Sequence, residues 1–243
     1  MLTLGLDDTD VLDAPGTNQL ARHLVKVLAD DWRGHLITRH QLSEDPRVPC
    51  TRRNGCVAVR LEARGTQSVA ELIERVRAIM LAWCPAGSDP GLCVATAEVP
   101  PAILDFGRRC QHDVVTQDEA RQLAAAHGLA LYGLGGTNDG VIGALAAVGL
   151  QQTRNDGRVI WIGNTETDHY DIGGIREISE LARFGIDEVQ RLGSFEPVLA
   201  GSVQVGKRLR PNYRAGKVRL YVTPMREQPE PEPGVEWYAE RVT

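Results

Sequence analysis

Three carboxylates fall within four residues at Asp7-Asp8-Thr9-Asp10, directly after the apolar run LTLGL. Held that tightly behind a buried strand, they repel one another unless a cation or a proton intervenes. Carboxylates at a strand end suit magnesium, which takes carboxylate and phosphate oxygens together. The plainer alternative is a solvated turn. Gly16-Thr17-Asn18 opens the next segment. Thr17 there could cap a helix, hold a phosphate at the helix N-terminus, or accept a phosphoryl group.

Three further clusters could handle anions. Arg52 and Arg53, in the turn TRRNG with Asn54, could grip phosphate oxygens with paired donors, or form an exposed basic turn. The stretch from Gly133 to Gly140 (GLGGTNDG) lies between a strand pattern and a helix pattern. Its Gly135, Gly136 and Gly140 would let backbone approach phosphate, or would make a tight turn with close helix packing. No Gly-Lys-Ser/Thr follows, so this is not a Walker A loop. Residues 207–219 (KRLRPNYRAGKVR) hold Lys207, Arg208, Arg210, Arg214, Lys217 and Arg219, with Tyr213 and no acid. Such a stripe fits single-stranded RNA or a nucleotide, or else protects sheet edges with charge.

The six histidines show no zinc-ligand spacing, and the five cysteines form no C-x-x-C, so zinc is not expected. Asp168, His169 and Asp171 share a polar loop and point to no particular chemistry. The chain has 243 residues and a net charge of −5, which excludes a purely electrostatic nucleic-acid binder but not a local basic patch. No apolar run is long enough for a membrane span, and the first residues carry acids rather than a signal-peptide pattern. A cytoplasmic protein is expected.

The elements that must position these residues follow from periodicity. Residues 2–6 read as a strand, and Leu20, Leu24, Val27 and Leu28 give the first helix. Strands follow at 35–41 and 55–61, separated by a loop containing Pro46 and Pro49. Ser68 with Glu71 makes a capping box before an apolar helix face running from Val69 to Trp83, and 92–98 reads as a strand. The order β-α-β-β-α-β predicts a ferredoxin-like unit over residues 1–98. A second α/β unit is expected over 99–223, so the class is α+β. That unit would hold a Thr116–Glu119 capping box, strands at 129–132 and 158–162, the helix VIGALAAVGL, a largely helical 175–191, and strands at 202–205 and 217–223. Residues 224–243, with four prolines and five glutamates, read as a tail pinned by Trp237 and Tyr238.

Several blocks resemble one family in the same order. These are GLDDTD, PGTN, the P-R-V-P…TRRNG loop and the octet IGALAAVG, and the similarity runs to about Gly149. The sequence resembles the archaeal tRNA-isoleucine agmatinylcytidine synthetase family. The resemblance implies use of ATP to activate a cytidine at C2 by phosphorylation, with agmatine then displacing the phosphate. It places Asp7, Asp8 and Asp10 on acids that handle magnesium and ATP, and Thr17 on a threonine that becomes phosphorylated. Gly16 and Asn18 depart from the family's cysteine and threonine, and the lead-in to the octet lacks the family's arginine. Family members continue into an OB-fold and a zinc ribbon, for which this sequence shows no signal. The expectation is an ATP- and magnesium-dependent phosphotransferase or ligase core. Its partner would be tRNA or another nucleotide-containing substrate, engaged with a separate RNA-binding subunit where tRNA is involved. The alternative is a nucleotide- or RNA-binding module without catalysis.

Overall fold

The computed structural model describes residues 1–243 apart from Pro49, Arg52, Asn164, Glu166, Thr167, His169, Tyr170 and Thr243. It is a mixed α+β structure that divides into two compact units, Met1–Thr153 and Arg154–Thr243. The expected boundary after residue 98 falls inside the first unit.

The first unit runs β1 (Leu2–Asp7), α1 (Thr17–Val27), β2 (Trp32–Gln41), β3 (Gly55–Ala63), α2 (Val69–Trp83), β4 (Gly91–Ala95), α3 (Pro101–Cys110), α4 (Gln117–Ala126), β5 (Ala130–Gly133) and α5 (Gly140–Gln152). Its strands lie in the order β5-β4-β1-β3-β2, and every neighbouring pair is antiparallel. β3 sits between β1 and β2, and β1 between β3 and β4. Leu4 pairs with Val59 on one side and Val94 on the other. The capping boxes form as the sequence requires: Ser68 Oγ accepts the Glu71 N–H, and Thr116 Oγ1 accepts the Glu119 N–H.

Strand alternation gives the sheet two unlike faces. Leu4 and Leu6 of β1, Val57 and Val59 of β3, and Val94 of β4 are large and buried. Gly5, Ala58, Cys93 and Ala95 fall at the alternate positions and are small. The small face receives α5, whose residues are buried all round between the sheet and α3. There the backbones nearly touch. A Cβ on Gly5 would lie 1.9 Å from the Ala144 carbonyl oxygen, and one on Gly91 would lie 2.0 Å from the Gly140 oxygen. At the far end of the helix, Thr38 of β2 donates to Gln151 Oε1 and meets His40 Nε2 at 2.9 Å, a fully interior polar pin.

The second unit holds β6 (Arg158–Ile162), β7 (Ile175–Glu177), β8 (Glu188–Arg191), β9 (Ser202–Gln204), β10 (Asn212–Arg214), β11 (Lys217–Pro224) and β12 (Trp237–Ala239). The strand order is β6-β10-β11-β12-β9-β7, with β8 parallel on the opposite edge of β11. Residues 175–191 are not largely helical. They form β7, a short 3-10 segment at Ile178–Phe184, and β8. Ile178 and Leu181 are three apart, which suits a three-residue turn as well as an α-turn, and Gly185 at φ 80° ends the segment. The expected tail carries β12, which pairs with β11 through Thr223–Tyr238. Among the described residues no helix is long and apolar enough to cross a membrane.

The Gly5–Ala144 approach yields a direct expectation. Gly5→Ala drives a methyl into a backbone oxygen that no side-chain rotation can move, and it should destabilise the first unit by about 1–3 kcal/mol. Denaturant unfolding of the variant measures this.

Candidate functional site

The acidic turn leaves the end of β1 and is held by three neighbours. Asp7 packs its carboxylate on α5 at Gly143, where an added Cβ would stand 1.9 Å from Asp7 Oδ2. Asp8 adopts φ 49°, a left-handed conformation that short polar side chains tolerate. Its carbonyl accepts the Asp89 N–H at 3.1 Å, and the Asp89 carbonyl accepts the Gly140 N–H at 3.1 Å. The turn, the loop before β4 and the start of α5 are thus linked in series. Thr51 Oγ1 donates to the Asp10 carbonyl at 3.4 Å.

Thr17 lies beside this turn. Buried Thr9 donates its hydroxyl to Thr17 Oγ1 at 3.0 Å. Gly16 is the N-cap of α1 and supplies no capping side chain, so Thr17 is the first helical residue rather than the cap. An added Cβ on Gly16 would be 3.3 Å from Asp10 Oδ2. Asp7, Asp8, Asp10 and Thr17 therefore form one locale.

Two of these carboxyls, Asp7 and Asp8, stand well above the ordinary carboxylate range. Burial, then Asp8 and Asp10, push the Asp7 carboxyl up to about 7, against the pull of Arg39. Burial, then Asp89, Asp10 and Asp139, push Asp8 up to about 6. Cys84 is raised to about 11 by burial and by Asp10 and Asp8, which marks the C-terminal end of α2 as another neighbour. Arg39 of β2 is itself held below the usual guanidinium range by burial and by Arg53, and Asp7 opposes that shift.

Of the glycine-rich loop, Gly136 faces Asp89, whose carboxylate accepts both the Thr137 N–H at 2.6 Å and the Thr137 hydroxyl at 2.7 Å. Gly140 begins α5 and Gly135 packs near Pro90. The loop therefore meets the acidic turn through Asp89. Arg53 is exposed, with its carbonyl 3.5 Å from Arg39 Nη2. Asn54 shapes its own loop, donating to the Ser43 carbonyl at 2.8 Å. Arg52 and His169 lie outside the described residues.

The basic segment belongs to the second unit. Tyr213 is 4% exposed in β10, so its ring is not open to a base. Arg214 donates to the Gly157 and Tyr213 carbonyls. Lys217 and Arg219 both pair with Glu188. Lys207 is exposed, and Arg208 and Arg210 are partly exposed.

Sequence reasoning missed Asp89, Arg39 and Thr9. Asp89 carried a faint signal, since it immediately precedes a strand that pairs with β1. Arg39 and Thr9 carried none. Among the described residues no three His, Cys, Asp or Glu stand together as a ready metal cage. The donor set at the turn still fits magnesium. It offers hard carboxylate oxygens, the Asp7 and Asp8 carboxyls being raised by burial and like charge, and magnesium ordinarily uses one or two carboxylates and completes its shell with phosphate oxygens and water.

The raised carboxyls give a pH signature. Between pH 4 and 7 the folded chain keeps a proton on Asp7 that the unfolded chain has released, so stability falls as pH rises through that window. Asp7→Asn should remove the Asp7 share of this slope in the absence of divalent cations, leaving the smaller share of Asp8. The variant should be more stable at pH 8 by an amount on the order of 2–4 kcal/mol, with little difference near pH 4. Thermal unfolding across pH checks it.

No protein-family model matches the chain. It is 26% identical over 152 residues to TiaS, the isoleucine-tRNA 2-agmatinylcytidine synthetase of Cenarchaeum symbiosum (strain A), covering 62% of this chain and 33% of the relative. Among solved structures, the crystal structure of TiaS in complex with its isoleucine tRNA and ATP matches with a TM-score of 0.54 and 26% identity, covering 61% of this chain and 36% of that one. A crystal structure of a tRNA fluorescent labelling enzyme matches with a TM-score of 0.53 and 25% identity, covering 61% of this chain and 35% of that one. The chain spans about one third of the length of the relatives it matches, and within that span it contains a TiaS-like region in both sequence and fold.

Proposed function

We propose that the chain carries an ATP- and magnesium-dependent phosphotransferase or ligase core that acts on tRNA or another nucleotide-containing substrate. The observation that carries this reading is the pair Asp7 and Asp8, raised by burial and like charge in a turn fastened to the start of α5, in a region similar to a protein solved with tRNA and ATP. That substrate class puts the protein in the cytoplasm.

Asp8 and Asp10 would hold the magnesium ion, with Asp7 behind them against Gly143. The ion would supply charge neutralisation on the ATP phosphates. Thr17 is the phosphoryl acceptor or a phosphate ligand. Its oxygen takes one hydrogen bond from Thr9, and a hydroxyl has a second lone pair for an incoming phosphorus or a donor. The start of α1, without a capping side chain, aims backbone donors and the positive end of its dipole at the same place. Arg53, and Arg52 beside it in sequence, would neutralise phosphate charge from the loop before β3. Most of the work in phosphoryl transfer is positioning plus electrostatic stabilisation, and these groups supply both.

The test is turnover of radiolabelled ATP with magnesium, with products resolved as ADP or AMP and intact mass read for phosphate on Thr17. We expect turnover that requires magnesium and falls by roughly 10²-fold or more in Asp8→Asn, the order seen when one transition-state-stabilising group is lost. Thr17→Val should lose any protein-bound phosphate. Nucleotide binding without turnover in the folded wild type would overturn the catalytic assignment in favour of a binding module.

A further inference from the structure

Thr9 stands between Asp8 and Asp10 in the acidic turn, yet it is fully buried, with 0% of its surface exposed. A buried hydroxyl needs an acceptor for its proton, and Thr9 has one in Thr17 Oγ1 at 3.0 Å. We propose that Thr9 is the donor that stabilises the Thr17 oxygen when a phosphoryl group departs from it. This rests on reading Thr17 as the phosphoryl acceptor.

The contact joins two elements. Thr9 follows β1, and Thr17 is the first residue of α1. On one side of Thr9 the Asp8 carbonyl accepts the Asp89 N–H at 3.1 Å. On the other the Asp10 carbonyl accepts from Thr51 Oγ1 at 3.4 Å. The turn is therefore fastened at both neighbours of Thr9, which holds its hydroxyl in place. Thr17 is partly exposed, so a reacting group has access to it. A hydroxyl has one proton and two lone pairs. Thr9 gives its proton to the bond with Thr17, and Thr17 keeps a lone pair for phosphorus.

Two steps would use the Thr17 oxygen in opposite ways. In the first, Oγ1 attacks the terminal phosphorus of ATP. The Oγ1–P bond forms, ADP leaves with the electron pair of the bond that breaks, and the Thr17 proton is released. In the second, water attacks the phosphothreonine. The new O–P bond forms, the Oγ1–P bond breaks, and its electron pair stays on Oγ1, which takes up a proton given up by the water. An oxygen of a nucleotide-containing substrate can stand in the place of that water. Phosphoryl transfer passes through a loose transition state, with the bond to the leaving oxygen largely broken and the bond to the attacking oxygen barely formed. Charge thus builds on Oγ1 in the second step far more than in the first. A donor already set 3.0 Å from that oxygen and shielded from water acts most strongly there.

The surroundings of Thr17 also favour departure. Asp10 Oδ2 lies 3.3 Å from where a Cβ on Gly16 would stand, so a phosphate on Thr17 has a carboxylate for a neighbour. Like charge opposes its staying. Thr9 stabilises the oxygen left behind.

The experiment supplies the full chain with ATP and magnesium, then dilutes the nucleotide and follows phosphate on Thr17 by intact mass, with water as the acceptor. Thr9→Val keeps the shape of the side chain and removes the donor. It should gain phosphate at nearly the wild-type rate and lose it roughly 10²-fold more slowly, the order expected when one donor to a developing oxyanion is removed, so that phospho-Thr17 accumulates. Thr9→Ala, a second variant without the donor, should behave in the same way. Thr9→Ser, which keeps the hydroxyl, should restore the loss. Circular dichroism checks that each variant is folded. Slowing of gain and loss together in the donorless variants would make Thr9 a packing residue and overturn the proposal. Loss at the wild-type rate in those variants would also overturn it, while leaving the acceptor reading standing. Absence of phosphate on Thr17 in both the folded wild type and the donorless variants would overturn the two together.

Discussion

The close approach of α5 to the sheet is the constraint on which the first unit is built. Helix and strand backbones meet at Gly5 with Ala144 and at Gly91 with Gly140, distances that leave no room for a side chain. Only a sheet face made of Gly5, Ala58, Cys93 and Ala95 can accept a helix that closely. Only a helix as uniformly small and apolar as VIGALAAVGL can be covered on every side. The same approach lays Asp7 on Gly143 and draws the Asp89 loop to the first residue of α5. Packing that looks purely structural thereby fixes where the carboxylates stand.

Those carboxylates cost the fold something. Asp7 and Asp8 are shifted far above ordinary carboxylates because burial and like charge oppose ionisation, and Arg39 offsets only part of this at Asp7. Asp8 also occupies a left-handed backbone conformation. Two carboxyls raised by burial and like charge in one turn are the pattern expected where a ligand supplies positive charge. By contrast, burial pushes the thiols of Cys93 and Cys110 up to about 12, which leaves them inert packing groups.

Much of this was legible in the sequence because it is local. The acid triplet behind an apolar strand, the two capping boxes and the apolar faces of the helices each follow from neighbours in the chain. The strands of the first unit were also readable, since each alternates or runs apolar between turn residues. What the sequence hid depends on pairing. Asp89 matters because β4 lies beside β1, and Arg39 because β2 brings it toward Asp7. Residues 175–191 read as helix because an i, i+3 apolar pair serves two kinds of turn, and only the pairing of β8 with β11 decides between them. Tyr213 read as a base platform among cations, yet strand alternation turns it into the core.

The central claim is that the turn Asp7–Asp10 holds a metal–ATP complex beside Thr17. The most direct measurement is a crystal structure with a non-hydrolysable ATP analogue and manganese, whose anomalous signal marks the ion. The account predicts an anomalous peak at coordination distance from an Asp8 or Asp10 oxygen, with nucleotide phosphates between that ion and Thr17. A nucleotide bound elsewhere, with no ion at the turn, would contradict it.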